Sequence, residues 1–142
     1  WYVALLVGFM CLVRGGLATI GYADPQWLMQ QLDLPLATNQ QMPYIIRVWA
    51  IRDIVLAVLV AAADRHTLPK LLIACITIDA ADVLSAHLGY LAGLFDSSEA
   101  GSLKLTAIAA MVPETMALGL LFVRRATQPL NSGTYEATEL PK

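Results

Sequence analysis

Five ionisable residues, Arg52, Asp53, Asp79, Asp82 and Glu114, lie near the middle of segments that are otherwise apolar. Asp79 and Asp82 stand three residues apart, so on a helix both carboxylates share one face. Two carboxyl groups held together are the ingredients of paired general acid–base chemistry, one ionised to take a proton and one protonated to give it. An arginine beside them orients the carboxylates and stabilises negative charge developing on a reacting oxygen. Arg52 and Asp53 are adjacent, about 100° apart on a helix, so one points along a bundle axis and the other between helices. Pro113, just before Glu114, removes one helical hydrogen bond and frees a carbonyl a turn earlier.

The segments that must position these groups read as membrane spans. The 142-residue chain is 58% hydrophobic and only 14% charged, well outside the soluble average of about 45–50% apolar and about 25% charged. Its mean hydropathy is +0.62. Trp1–Gly21, Pro43–Ala63, Pro69–Leu94 and Leu103–Val123 are each close to the ~20 residues that cross ~30 Å of hydrocarbon. Trp1–Gly21 could also serve as an uncleaved signal anchor, since no A-x-A-like cleavage site follows it. The expected architecture is an all-α, integral membrane four-helix bundle over 1–126. Between spans one and two, Asp24-Pro25 followed by Trp27, Leu28, Met29 and Leu32 predicts a short interfacial amphipathic helix. The polar stretch 127–142 is expected to be a disordered tail. Cys11 and Cys75 match no metal or redox spacing and read as packed thiols.

Arg65 and Lys70 in the second loop, with Arg124 and Arg125 after the fourth span, place that side and both termini in the cytoplasm by the positive-inside rule. Either the plasma membrane or the endoplasmic reticulum fits. A net charge of −2 offers no basic surface for nucleic acid. Counted at 1.5 Å per residue, Arg52, Asp53, Asp79, Asp82 and Glu114 fall ~14–22 Å from the outer ends, whereas Arg14, Arg47 and His87 fall at ~6–10 Å. That layering predicts a polar cleft open to the outer side, with carboxylates around Arg52 at its base. Arg14, Arg47, Trp49, His87 and Tyr90 are then candidate substrate-binding residues nearer its mouth. The embedded acids outnumber the arginines by one, which makes one of Asp79, Asp82 or Glu114 the candidate to hold a proton. Blander roles exist: an Arg–Asp pair that fixes helix register, arginines that snorkel, a hydrogen-bonded His87. No Glu-x-x-His metal pattern is present, and no cofactor is expected.

The stretch Arg47-Val-Trp-Ala-Ile-Arg52-Asp53-Ile, followed by Ile78-Asp79-Ala-Ala-Asp82-Val, resembles a family of small four-span membrane proteins of unknown function found in fungi and bacteria. In that family a G-x-R-D element in the second helix and a D-x-x-D element in the third recur; here Ala50 stands where Gly is commoner. The set also resembles, in roles rather than fold, the two carboxylates bridged by arginine in limonene-epoxide-hydrolase-type enzymes. Small membrane proteins of fungal polyketide pathways look like they open epoxides in this way. The convergence of complementary groups at one depth predicts a membrane-embedded acid–base enzyme acting on a lipophilic small molecule by epoxide hydrolysis, cyclisation or isomerisation, with Asp79 or Asp82 as base and Asp53 or Glu114 as proton donor. Arg52, Asp53, Asp79, Asp82 and Glu114 would be its catalytic set. A non-enzymatic accessory subunit or lipid-binding protein of a larger membrane complex is the alternative, a small proton-coupled transporter a third, and a homo-oligomer is compatible with each.

Overall fold

The computed structural model describes residues 2–127; of the expected polar tail, 127–142, only Thr127 is among them, as the last residue of a helix. Five helices follow in order: α1 (Tyr2–Ala23), α2 (Pro25–Gln31), α3 (Met42–Ala61), α4 (Leu68–Leu91) and α5 (Ser97–Thr127). No strand occurs among the described residues. Three helices are long and apolar enough to cross a membrane: Tyr2–Ala23, Leu68–Leu91 and Ser97–Arg124. Helix α3 has comparable length, but it carries Arg47, Arg52 and Asp53 within 20 residues.

Local chemistry sets the boundaries. Asp24 caps α2 by accepting from the Trp27 N–H at 3.0 Å, with Pro25 in the first turn. Helix α5 begins six residues before the apolar run expected from Leu103. There Asp96 accepts from the backbone N–H groups of Ser98 and Glu99, and the Glu99 carboxylate accepts from Asp96 N–H at 2.8 Å. This is a reciprocal capping box, and it starts a helix whatever the hydropathy of its first turn. Helix α4 stops at Leu91, short of the expected Leu94, because Gly93 adopts φ +73°. Gly93 N–H then donates to Tyr90 and Leu94 N–H to Gly89, closing a Schellman motif. At the start of α4, the exposed Asp64 accepts from the N–H groups of Thr67 and His66. The Thr67 donor does most to hold its carboxyl below the usual carboxylate range.

The long helices run alternately up and down. Gly15 faces Ala57 and Gly21 faces Ile46, so α1 and α3 are antiparallel. Helices α1 and α3 pack closely, as do α4 and α5, while α1 against α5 and α3 against α4 form looser seams. Two apolar cores fill the bundle's ends. Val3, Val7, Met10, Val60, Leu72, Cys75 and Ala117 close one end. At the other, Leu28, Met29, Leu34, Met42 and Ile46 form a roof, into which Phe95 packs. Cys75 is buried, Cys11 half-buried, and both thiols are free. The outward faces stay apolar: Leu12, Tyr44, Leu91 and Val123 are all more than 60% exposed, as expected where hydrocarbon is the solvent.

Two stability predictions follow from these contacts. A Cβ at Gly89 would lie 2.7 Å from the Phe95 ring, so Gly89→Ala must displace a roof residue and should cost about 1–3 kcal/mol. The check is a lower thermal midpoint in detergent. The Asp64 cap contributes stability at pH values above the ordinary carboxylate pKa and loses it as pH falls through the depressed one. Asp64→Ala should therefore lower the midpoint at neutral pH and match the parent in acid.

A candidate active site built on Arg14

Side chains on a helix lean toward its own N-terminus. Arg14 on α1 therefore leans away from the roof, while Asp53 on α3 and Glu114 on α5 lean toward it. They meet with Asp79 of α4 in the middle of the bundle. Arg14 Nη2 donates to Asp79 Oδ1 at 2.7 Å, Nη1 donates to Asp79 Oδ2 at 3.3 Å, and Nη1 also donates to Glu114 Oε1. Asp53 Oδ1 lies 3.4 Å from Nη2 and Oδ2 lies 3.2 Å from Nε. One guanidinium thus holds carboxyl groups from three other helices, and all four side chains are at most 5% exposed.

Asp53 extends the cluster. Its Oδ1 accepts from Arg52 Nε at 3.2 Å, and Arg52 makes a two-pronged pair with Asp82 at 3.1 and 2.7 Å. That pair spans the α3/α4 seam, and both its members are about one-third exposed. The chain of contacts therefore runs Glu114–Arg14–Asp53–Arg52–Asp82, from a buried end to a partly exposed one.

Oxygen by oxygen, the acids differ. Both oxygens of Asp79 accept from Arg14, and both oxygens of Asp53 face guanidinium nitrogens. Glu114 Oε2 is buried with no hydrogen-bond partner among the described residues. Arg14 Nε is likewise buried without a hydrogen-bond partner among the described residues, and each such atom costs about 1–3 kcal/mol unless water or a ligand meets it.

Glu114, Asp53, Asp79, Asp82 and Arg14 line a cavity of ≈ 850 Å³ whose other walls are almost wholly apolar. Leu28, Leu34 and Phe95 shape its roof end and Trp49 its flank. A volume of this size lies within the range of small-molecule sites. Among the described residues no group of His, Cys, Asp and Glu has metal-binding geometry.

Of the residues singled out from the sequence, Arg52, Asp53, Asp79, Asp82 and Glu114 come together, and Trp49 joins the cavity wall. Arg14 is the centre of the cluster rather than a member of an outer layer with Arg47 and His87. Arg47 is exposed and donates to the Tyr22 carbonyl at 3.3 Å. His87 is exposed, and Tyr90, 43% exposed, receives the Lys104 ammonium 5.8 Å from its ring centre. None of these three lines the cavity. The signal for Arg14 was present: it is the one charge in the 22 residues of α1.

Comparison with protein-family models, with characterised proteins and with solved structures yields no match. The reading of the site rests on its own chemistry.

Removing Arg14 would leave three buried carboxyl groups without their shared cation. Arg14→Ala should cost about 3–5 kcal/mol, whereas Arg47→Ala, at an exposed site, should stay within about 0.5 kcal/mol. Unfolding midpoints of the two variants in one detergent provide the comparison, and equal midpoints would contradict the assignment of Arg14 as the hub.

Proposed function

We propose that this chain is a four-span membrane enzyme that carries out acid–base chemistry, epoxide hydrolysis or the related cyclisation or isomerisation, on a lipophilic small molecule. The observation that carries the reading is the apolar cavity ending on an arginine–carboxyl cluster in which one buried oxygen, Glu114 Oε2, is unengaged. On this reading α3 is the fourth span, its three charges turned to the cluster, to Asp82 and to the Tyr22 carbonyl. Helix α2, with Trp27 38% exposed, lies at the interface.

Glu114 is the proton donor: its side chain lines the cavity, and its Oε2 has no hydrogen-bond partner among the described residues. Two guanidiniums face four carboxyl groups, and a proton on Glu114 removes one of the two surplus negative charges. Asp79, fixed by Arg14, is the base. In hydrolysis, water attacks one epoxide carbon and gives a proton to Asp79. The carbon–oxygen bond breaks, and the epoxide oxygen takes the Glu114 proton. Proton return from Asp79 to Glu114, both on Arg14 Nη1, restores the site. In cyclisation or isomerisation the same donor opens the ring, and the base removes a proton from the substrate instead of from water.

The test is turnover of a panel of lipophilic epoxides, terpene and long-chain terminal, by the protein in lipid nanodiscs made up in oxygen-18 water. Hydrolysis gives a diol carrying one heavy oxygen, and isomerisation gives a product of unchanged mass. Glu114→Gln and Asp79→Asn should each lower turnover by about 10²–10⁴-fold. Folded variants that keep the parent rate would defeat the proposal.

A further inference from the structure

We infer that the seam between α1 and α5 is a lateral channel that admits the hydrocarbon chain of an amphiphile from the bilayer and holds it while the polar end reaches Glu114. The inference rests on the acid–base reading only for what happens at that polar end.

Between α1 and α5 the cavity wall does not close. Phe9 and Val13 on α1 and Leu105, Val112 and Met116 on α5 line it, yet they are 62%, 51%, 69%, 53% and 56% exposed. On α5 these residues, with Ala109, follow a three-to-four-residue spacing and form one stripe along the helix flank. The α1 pair faces it across the looser seam. Along the bundle axis the cavity is closed, and at the α3/α4 seam, where the partly exposed Asp82 also lines it, an ion pair bridges the two helices. Leu28, Leu34, Met42 and Ile46 are at most 6% exposed across the roof. Asn39 donates to the Glu99 carboxylate at 2.8 Å, tying the connection before α3 to the start of α5. Val3, Val7, Val60 and Leu72 close the opposite end, and the two-pronged Arg52–Asp82 pair clasps the α3/α4 seam.

The chemistry of the open wall identifies its occupant. Both α1 and α5 are long and apolar enough to cross a membrane, so the seam between them faces hydrocarbon. A hydrocarbon chain passing from the bilayer into this wall exchanges one apolar surrounding for another, whereas a polar solute would be stripped of water along the whole route. From Leu105 to Glu114 the stripe is ~13–14 Å long, room for a chain rather than a compact ring alone. Within it, Pro113 has no N–H to give the Ala109 carbonyl, and Ala109 lines the cavity. That carbonyl is an acceptor one turn from Glu114, suited to a hydroxyl at the head of the chain.

The experiment uses the full chain in phosphatidylcholine nanodiscs with hexadecanol bearing a mid-chain photoreactive diazirine, competed by plain hexadecanol. Labelling of the peptides carrying Val13 and Val112 should be saturable and competed away, while labelling on the outward face around Leu84 should not saturate. Val13→Trp with Val112→Trp fills the seam at positions more than half exposed. Denying burial to about two methylenes should weaken the competition about tenfold. Leu84→Trp, 57% exposed and outside the cavity wall, should change nothing. Glu114→Gln should keep saturable labelling even where turnover is lost. If the seam variants lose saturable labelling while the parent leaves epoxides untouched, the channel stands and only the acid–base reading falls. Non-saturable labelling of the parent, or labelling that the paired tryptophans do not alter, overturns the channel.

Discussion

The guanidinium of Arg14 is the constraint on which the bundle depends. A carboxylate moved from water into a low-dielectric interior costs several kcal/mol, and Arg14 offsets that cost for the carboxyl groups around it. By drawing Asp53, Asp79 and Glu114 onto one planar group, Arg14 fixes the rotation and depth of α3, α4 and α5 against α1. A quarter turn of any of these helices would take a buried polar group away from its partner. The closely packed pairs, α1 with α3 and α4 with α5, are therefore joined at their common level by charge, and above and below it by apolar packing.

A buried ionic cluster is a poor way to gain stability, since well-packed apolar residues of similar volume do as well or better. The arrangement is also asymmetric in a way that register alone does not require. Both oxygens of Asp79 accept from Arg14, Asp53 accepts through Oδ1, and Glu114 Oε2 has no hydrogen-bond partner among the described residues. A helix lock needs one satisfied pair, and the Arg52–Asp82 pair between α3 and α4 already provides one.

Much of this was readable from the residues. The four long helices, the short helix after Asp24-Pro25 and the convergence of Asp53, Asp79 and Glu114 at one level all follow from apolar runs and a rise of 1.5 Å per residue. Spacing alone misplaces several features, among them the end of α4, the start of α5 and the side chains of Arg14, Arg47, His87 and Tyr90. The start of α5 was set by hydropathy at Leu103, though Asp96-x-x-Glu99 carries its own capping signal. Arg14 was placed by its Cα height, which ignores that a long side chain leans toward its helix's N-terminus and that antiparallel neighbours lean to meet it. Which carboxyl oxygen is left free could not be read from spacing at all, because it depends on how four side chains divide one guanidinium. The cavity wall likewise depends on packing between α1 and α5, which the sequence expresses only as two apolar faces.

The claim at the centre of the account is that Glu114 stands protonated beside Arg14, ready to give its proton to a bound substrate. Infrared difference spectroscopy of the protein against Glu114→Gln, both in nanodiscs at neutral pH, reads it directly. The account predicts a carbonyl band of a protonated carboxylic acid in the parent that is absent from the variant. A parent spectrum with carboxylate bands alone, or an acid band that persists in Glu114→Gln, would contradict it.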